Sequence, residues 1–330
     1  MRSGIAAGGN WIIDRVKVID TYPAQDALAN ILEESSGNGG APYNLLKGLS
    51  RIGYAGGLQA IGLVGMDPDG KRVLDDCQQC KIDTSLLTQI PEAHTSYTDV
   101  MTVESTGRRT FFHQRGANAF LNPEHFDFDR VQSGHLHLGY LLLLDGLDAP
   151  DEEFGTGAAR VLAGAQSHGL TTSIDVVSED SDRFLKTVLP ALKHADIVFM
   201  NEFELSRTTG IAITNPNDER LLQAGELLME GIKGHLVVHT PDQVYAFSSD
   251  GKRTEHGSVR MPDDQIKGAV GAGDAFAAGY LSGFTDGFEV EECLRFGVCV
   301  AASSLLAPDS SSGVLPWGDC LSLGEQYGYY

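Results

Sequence analysis

Apolar residues recur along this chain in two alternating rhythms. Short strand-length segments carrying apolar and β-branched residues fall at 58–64 (LQAIGLV), 135–143, 171–177, 196–200 and 235–239. Between and beyond them, apolar positions return with helical spacing over 152–168, 182–194, 202–209 and 218–232, which predicts helices with one face toward a core. Further helices are predicted at 42–50, with Pro42 in the first turn, and at 70–80, 273–284 and 290–306. A strand near 4–14 opens the chain, and 244–259 reads as a hairpin. Strands alternating with helices build a mostly parallel sheet covered on both sides, an α/β fold. Two β-rich pieces, 15–35 and 95–114, break the alternation, the second reading as two strands around a Ser-Thr-Gly turn. They are expected to pair as a small β-sheet lid, inserted in a core of 1–14, 36–94 and 115–330 and closing over the crevice at the strand ends.

Charge narrows the function. The 330 residues carry a formal net charge of −21, so the surface repels nucleic acid and anionic lipid, and any phosphate site is built locally. No apolar run approaches the ~20 residues a membrane span needs. The N-terminal MRSGIAAGGNWIID lacks the basic and apolar regions of an export signal, so a cytoplasmic location is expected. The five cysteines are then reduced thiols, and the lone Cys77-x-x-Cys80 reads as two cysteines one turn apart on a helix.

Four segments carry candidate chemistry. In KGAVGAGDAFAAGYLSGF (267–284), Gly271, Ala272 and Gly273 are small enough for backbone N–H groups to approach a phosphate, and the helix starting there adds its positive end. Asp274 then lies beside the anion, as a base or as a plain helix cap. In GNGGAPYN (37–44), Gly39-Gly40 form a flexible joint before a helix that presents Asn44. Strand alternation places Asn10, Ile12 and Asp14 on one face, where a carboxylate and an amide suit a polyol. Asn201 and Glu204 follow an apolar strand, where they either hold a hydrated Mg2+ or cap a helix. There is no GxxxxGK[ST], GxGxxG or HExxH, and His135 and His137 alternate along a strand as structural residues do.

Taken in order, Gly39-Gly40-x-x-x-Asn44, IGLVGMDPDG (61–70), GRRTFFHQRGAN (107–118), Asn201-x-x-Glu204 and GAGD (271–274) resemble the ribokinase, or PfkB, family of sugar and nucleoside kinases. The resemblance covers nearly the whole chain. It implies a ribokinase-like three-layer α/β/α domain with a mostly parallel sheet and a small β lid. It implies a sugar kinase that transfers the γ-phosphoryl of ATP to a hydroxyl, with Asp274 as base and Gly271, Ala272 and Gly273 as anion hole. Asn10, Asp14, Gly39, Gly40 and Asn44 match substrate contacts. Asn201, Thr240 and Val298 fall at nucleotide positions, and Glu204 at the position holding Mg2+ through water. A nucleoside kinase, with Trp11, Tyr97, Phe111 or Phe112 against the base, is the alternative, and a non-catalytic binding protein that kept the fold is another. Arg108, Arg109 and Arg115 could instead read a carboxylate or phosphate on the acceptor. The lid often joins family members as homodimers.

Two departures stand out. Gly268 and Ala269 replace the Asp-Thr that commonly supports a monovalent cation in this family, which argues against potassium activation. Thr240-Pro241-Asp242-Gln243 lacks both glycines of the usual nucleotide loop, which leaves the nucleotide less defined than the transfer chemistry.

Overall fold

The computed structural model describes residues 2–179, 181–215 and 218–330. β1 (Ile5–Gly9) stops at Asn10-Trp11, and the chain re-enters as β2 (Ile12–Ile19), paired with β3 (Ile31–Gly39). α1 (Ala41–Ile52), β4 (Leu58–Gly65), α2 (Pro68–Gln79) and β5 (Asp83–Ile90) follow. β6 (Ser96–Val103) and β7 (Arg109–Gln114) form a hairpin, and the chain returns through β8 (His135–Leu141). The one-turn α3 (Asp145–Asp148) and the two-residue strands β9 (Pro150–Asp151) and β10 (Gly155–Thr156) lead into α4 (Gly157–Ser167). Then come β11 (Thr171–Val176), α5 (Phe184–Leu192), β12 (Ile197–Asn201), α6 (Glu202–Thr209), α7 (Arg220–Met229) and β13 (His235–His239). The hairpin of β14 (Gln243–Ser248) and β15 (Arg253–Gly257) precedes α8 (Ala272–Thr285), α9 (Val290–Ser304) and α10 (Trp317–Tyr327).

The large sheet runs β15-β14-β13-β12-β11-β8-β1-β4-β5, parallel from β13 to β5 and antiparallel at the β14–β15 end. Its middle strands are buried along most of their length because both faces are covered. Leu45, Leu49, Phe276 and Tyr280 pack one face through α1 and α8, while Leu162, Phe184 and Leu205 pack the other through α4, α5 and α6. The result is a three-layer ribokinase-like α/β/α domain. His135 and His137 share the Ser173 hydroxyl, at 2.7 and 2.8 Å, inside this core. Burial holds both imidazoles down at about 3, so they are neutral and structural. Cys77, at the inner face of α2, is a buried free thiol pushed up to about 12 by desolvation.

The opening segment differs from the expected continuous strand 4–14. Gly9 has φ +134° and lies so close to Gly139 that a Cβ would stand 1.7 Å from its carbonyl oxygen. The chain turns there, leaves the large sheet and enters the small one, so Asn10 and Asp14 do not share a strand face. The helix expected from 152 begins at Gly157, because 150–156 forms the β9–β10 hairpin and Thr156 caps α4 by accepting from the Ala159 N–H. β5 and α10 were not expected: β5 is a largely exposed edge strand, and α10 contains two glycines.

The small sheet runs β3-β2-β6-β7. One of its faces, with Asp14, Val16, Val100 and Phe111, overhangs a cleft of about 1040 Å³ floored by α1, α2 and the loop 308–312. No described helix is long and apolar enough to cross a membrane.

Candidate active site

The site gathers where strand ends of the large sheet meet α1 and α8. Gly271 precedes α8 with φ +76°, and a Cβ there would stand 2.4 Å from the Ser310 carbonyl oxygen, so only glycine lets this loop pass the 308–312 loop. At Gly273 an added Cβ would approach the His239 ring at 3.3 Å. Asp274 follows in the first turn of α8 and is only 3% exposed. It makes no capping bond to its own helix. Instead its carboxylate accepts from the Asn44 amide at 2.8 Å and from the Tyr140 hydroxyl at 2.7 and 2.8 Å. Burial pushes Asp274 up to about 6; the bonds from Tyr140 and Asn44 pull it back, and the nearby Asp14 charge adds to the rise.

Asn44 sits one turn into α1, where its Oδ1 accepts from the Ser310 hydroxyl at 2.7 Å. The preceding glycines allow a close approach. Gly40 has φ +97° and a Cβ there would fall 2.0 Å from the Asn10 carbonyl oxygen, while one on Gly39 would fall 2.1 Å from an Asp14 carboxylate oxygen. Asn10 is fully buried; its Oδ1 accepts from the Tyr140 N–H at 2.8 Å, and its Nδ2 has no partner. The half-buried Asp14 lines the cleft, and desolvation lifts it to about 6. Asn10, Asp14, Gly39, Gly40, Asn44, Gly271, Gly273 and Asp274 are thus one neighbourhood, linked through Tyr140 and Ser310.

The other predicted residues stand apart from that cleft. Asn201 and Glu204 form a capping box on α6: Asn201 Oδ1 accepts from the Glu204 N–H, and Glu204 Oε2 accepts from the Asn201 N–H, each at 2.9 Å. Glu204 also accepts from the Ser178 hydroxyl at 2.6 Å, and burial pushes it up to about 7. The Thr240 hydroxyl closes a turn on Gln243, donating to its carbonyl at 2.8 Å and accepting from its N–H at 3.1 Å. Val298 is a core residue of α9. Neither Thr240 nor Val298 lines the cleft.

Two residues escaped the sequence reading. Tyr140 ends β8 and Asp175 lies near the end of β11, both on the carboxyl side of the parallel strands, which is the only signal that pointed to them. Asp175 is driven well above the ordinary carboxylate range by burial, then by the charges of Asp274 and Glu204. Asp175, Glu204 and Asp274 have no basic side chain among their hydrogen-bond partners. A divalent cation nearby would relieve that repulsion. Among the described residues no group of three or more acidic, His or Cys side chains is placed to hold a metal ion directly.

Of the four candidate aromatic residues Trp11, Tyr97, Phe111 and Phe112, Phe111 lines the cleft, which Tyr43 of α1 also lines. Trp11 is buried with its indole N–H on the Ile61 carbonyl at 2.9 Å, Tyr97 lies under the Arg15 guanidinium at 4.1 Å, and Phe112 is half-exposed. Of the three arginines, Arg109 lines the cleft, Arg115 bonds the Leu142 carbonyl at 2.9 Å, and Arg108 lies in the β6–β7 turn.

Residues 9–317 match the model of the pfkB family carbohydrate kinase. The ATP-dependent ribose-1-phosphate kinase of Halopiger xanaduensis is 26% identical over 96% of each chain. A ribokinase of Arabidopsis thaliana, solved with ribose and ATP, superposes with a TM-score of 0.80 at 20% identity over 98% of this chain and 99% of the other. A nucleoside kinase of Methanocaldococcus jannaschii superposes with 0.78 at 19% identity over 99% of each chain. The chain belongs to the PfkB family of carbohydrate kinases; it is a sugar or nucleoside kinase that uses an alcohol as phosphoryl acceptor.

Proposed function

We propose that this kinase transfers the γ-phosphoryl of ATP to a hydroxyl of a small carbohydrate, with Asp274 as base. The observation that carries this reading is the buried Asp274 carboxylate at the start of α8, held by Asn44 and Tyr140 beside a cleft lined by Asp14. In the reaction the acceptor oxygen bonds to the γ-phosphorus. The bond from that phosphorus to the β–γ bridging oxygen breaks, ADP leaves with that oxygen, and the hydroxyl proton passes to Asp274. Asp274 need not be strong, because the transition state is loose and the proton leaves late. Its elevated basicity, near 6, still suits an operating pH around neutrality. The backbone N–H groups of Gly271, Ala272 and Gly273 serve as the anion hole, a preorganised-dipole effect of about 3 kcal/mol per donor.

Asn10, Asp14, Gly39, Gly40 and Asn44 bind the acceptor, Asp14 as acceptor of hydrogen bonds from sugar hydroxyls. Glu204 holds Mg2+ through water, Asn201 steadies Glu204, and the ion when bound supplies positive charge to the phosphate oxygens. Thr240 and Val298 mark the nucleotide side, Thr240 by shaping its turn and Val298 by supporting α9. The small sheet acts as a lid that excludes water, and two copies pair through its exposed apolar side chains Ile31, Leu32 and Phe112. Turnover is the same in Na+ and K+, since Gly268 and Ala269 offer no side-chain ligand. With Trp11 and Tyr97 engaged elsewhere, a sugar is favoured over a nucleoside.

A coupled assay of ADP formation with a panel of sugars and nucleosides tests this. Sugar-dependent turnover that collapses in Asp274→Asn is expected, and full activity in that variant overturns the assignment of the base.

A further inference from the structure

We infer, on the premise of the phosphoryl-transfer reading above, that His239 is a catalytic residue of this kinase, whose imidazole donates a hydrogen bond to the terminal phosphate of the nucleotide held at the start of α8.

His239 is the last residue of β13, on the carboxyl side of the parallel strands, where open α/β sheets bind their ligands. Strand alternation puts His235, Val237 and His239 on one face. That face meets α8, and its contacts step back along the helix as the strand advances. His235 Nδ1 lies 3.2 Å from the Tyr280 hydroxyl, and the His239 ring lies 5.7 Å from the Phe276 ring between centroids. Strand and helix therefore run in opposite directions here, and the end of β13 arrives at the beginning of α8. A Cβ on Gly273 would stand 3.3 Å from His239 Cε1 and 3.5 Å from Nε2, so glycine at that position leaves the ring its place. On its other side, His239 is paired with Asn201 in the register of β12 and β13. The residue thus stands between the Gly271–Gly273 amides and the Asn201–Glu204 pair, the two groups assigned above to the phosphates and Mg2+.

The ring is not engaged by the protein. Among the described residues none hydrogen-bonds either ring nitrogen, and desolvation alone holds the imidazole down at about 4. His135, a structural histidine of the same sheet, uses both nitrogens, on the Thr171 and Ser173 hydroxyls at 2.8 and 2.7 Å. His239 is only part-buried, so a ligand can reach it. A part-buried imidazole with two open nitrogens at the carboxyl end of a strand is a group awaiting a partner.

The chemistry of the neighbouring loop says which partner. The segment 268–273, GAVGAG, has no donor side chain of its own, so any side-chain donor to an anion there comes from another element. A neutral imidazole offers one N–H and carries no charge that must be desolvated when the nucleotide is absent. It gives a fixed dipole to the phosphate oxygens and keeps its proton, while the proton of the acceptor hydroxyl goes to Asp274 as described above.

The test uses the full chain with Mg2+. His239→Phe keeps a ring against Phe276 and removes the donor, and His239→Ala removes the donor without adding bulk beside Gly273. Calorimetric binding of the non-transferable β,γ-methylene analogue of ATP is expected to weaken roughly tenfold or more in both, and binding of ADP less than about twofold. In the assay with the panel of sugars and nucleosides, kcat/KM for ATP is expected to fall roughly 10- to 100-fold, the range of one hydrogen bond to a charged group. A loss of ADP binding as large as that of the analogue shows a structural role and overturns the inference. So does wild-type behaviour of the phenylalanine variant, which leaves the ring as packing; both results leave phosphoryl transfer standing. Selective loss of the analogue in these variants, with no transfer to any acceptor by the wild type, upholds the phosphate contact and overturns the kinase reading instead.

Discussion

Strands β1 and β4 are buried along their whole length, whereas β3 begins with six exposed residues in succession and β7 is at most half-buried. Both sets are β-structure in one chain, yet their surroundings differ. The large sheet is covered by helices on both faces, so each of its strand ends is held by a close-packed core. The small sheet has one face over the cleft and edge strands at β3 and β7, whose charged Glu33, Glu34 and Arg109 discourage the addition of a further hydrogen-bonded strand at either edge. Residues that must stay put, Asp274, Tyr140 and Asp175, stand on or beside the first sheet. Residues that line the cleft from above, Asp14, Arg109 and Phe111, stand on the second. Low burial is the condition for a segment to open and close at small cost.

The largest way to strike at the rigid region is Asp274→Asn. We expect kcat to fall roughly 10²–10⁴-fold. The same variant should melt higher than wild type at pH 7. The wild-type Asp274 carboxyl has a folded-state pKa raised to about 6, so its ionised form is penalised on folding, a penalty the amide lacks. The wild type therefore carries no penalty below the ordinary carboxylate range, its penalty grows from there up to about pH 6, and above that it is constant. The gap in melting temperature should open over that interval, and a gap independent of pH would break the account.

Gly40→Ala strikes the joint between the two regions. With φ +97° and an Asn10 carbonyl 2.0 Å from the new Cβ, it should cost about 1–3 kcal/mol in a denaturant melt. It should also displace Asn44, lowering turnover beyond the loss of stability.

Tyr140→Phe is gentler. It removes bonds that favour the ionised Asp274, so the acid limb of the pH profile of kcat/KM should move upward from about 6. Activity at pH 6 should drop, and activity at pH 8 should be nearly preserved. Equal losses at both would reduce Tyr140 to packing.

Phe112→Ser, in the exposed sheet, should change stability least, within about 0.5 kcal/mol. Its readout is size: a lid-paired dimer should elute as a monomer after the change. A comparable loss of stability to that of Gly40→Ala would erase the distinction between the two sheets.

Much of the fold was legible because it is written in local pattern. The run LQAIGLV predicts a strand over 58–64, and β4 spans Leu58–Gly65. β5, with the sequence DTSLLTQI, was not legible, since an edge strand needs few buried side chains and only Leu86 and Leu87 are buried in it. Nor was the break at Asn10, whose cause is the approach of Gly139 from another strand. The Asn201–Glu204 pair was legible as two alternatives, and the capping bonds are what the structure displays.

The sequence by itself determined the family, the alternation of strands and helices, and the acidic residue at the start of a small-sided helix. Those are properties of neighbouring residues, set by backbone geometry and apolar spacing. Only the tertiary structure decided that Asn44 and Tyr140, 230 and 134 residues from Asp274, hold its carboxylate, and that Asp175 lies close enough to repel it. Proximity and desolvation arise from how strands order in a sheet and how helices cover it, and no local pattern in the chain encodes that order.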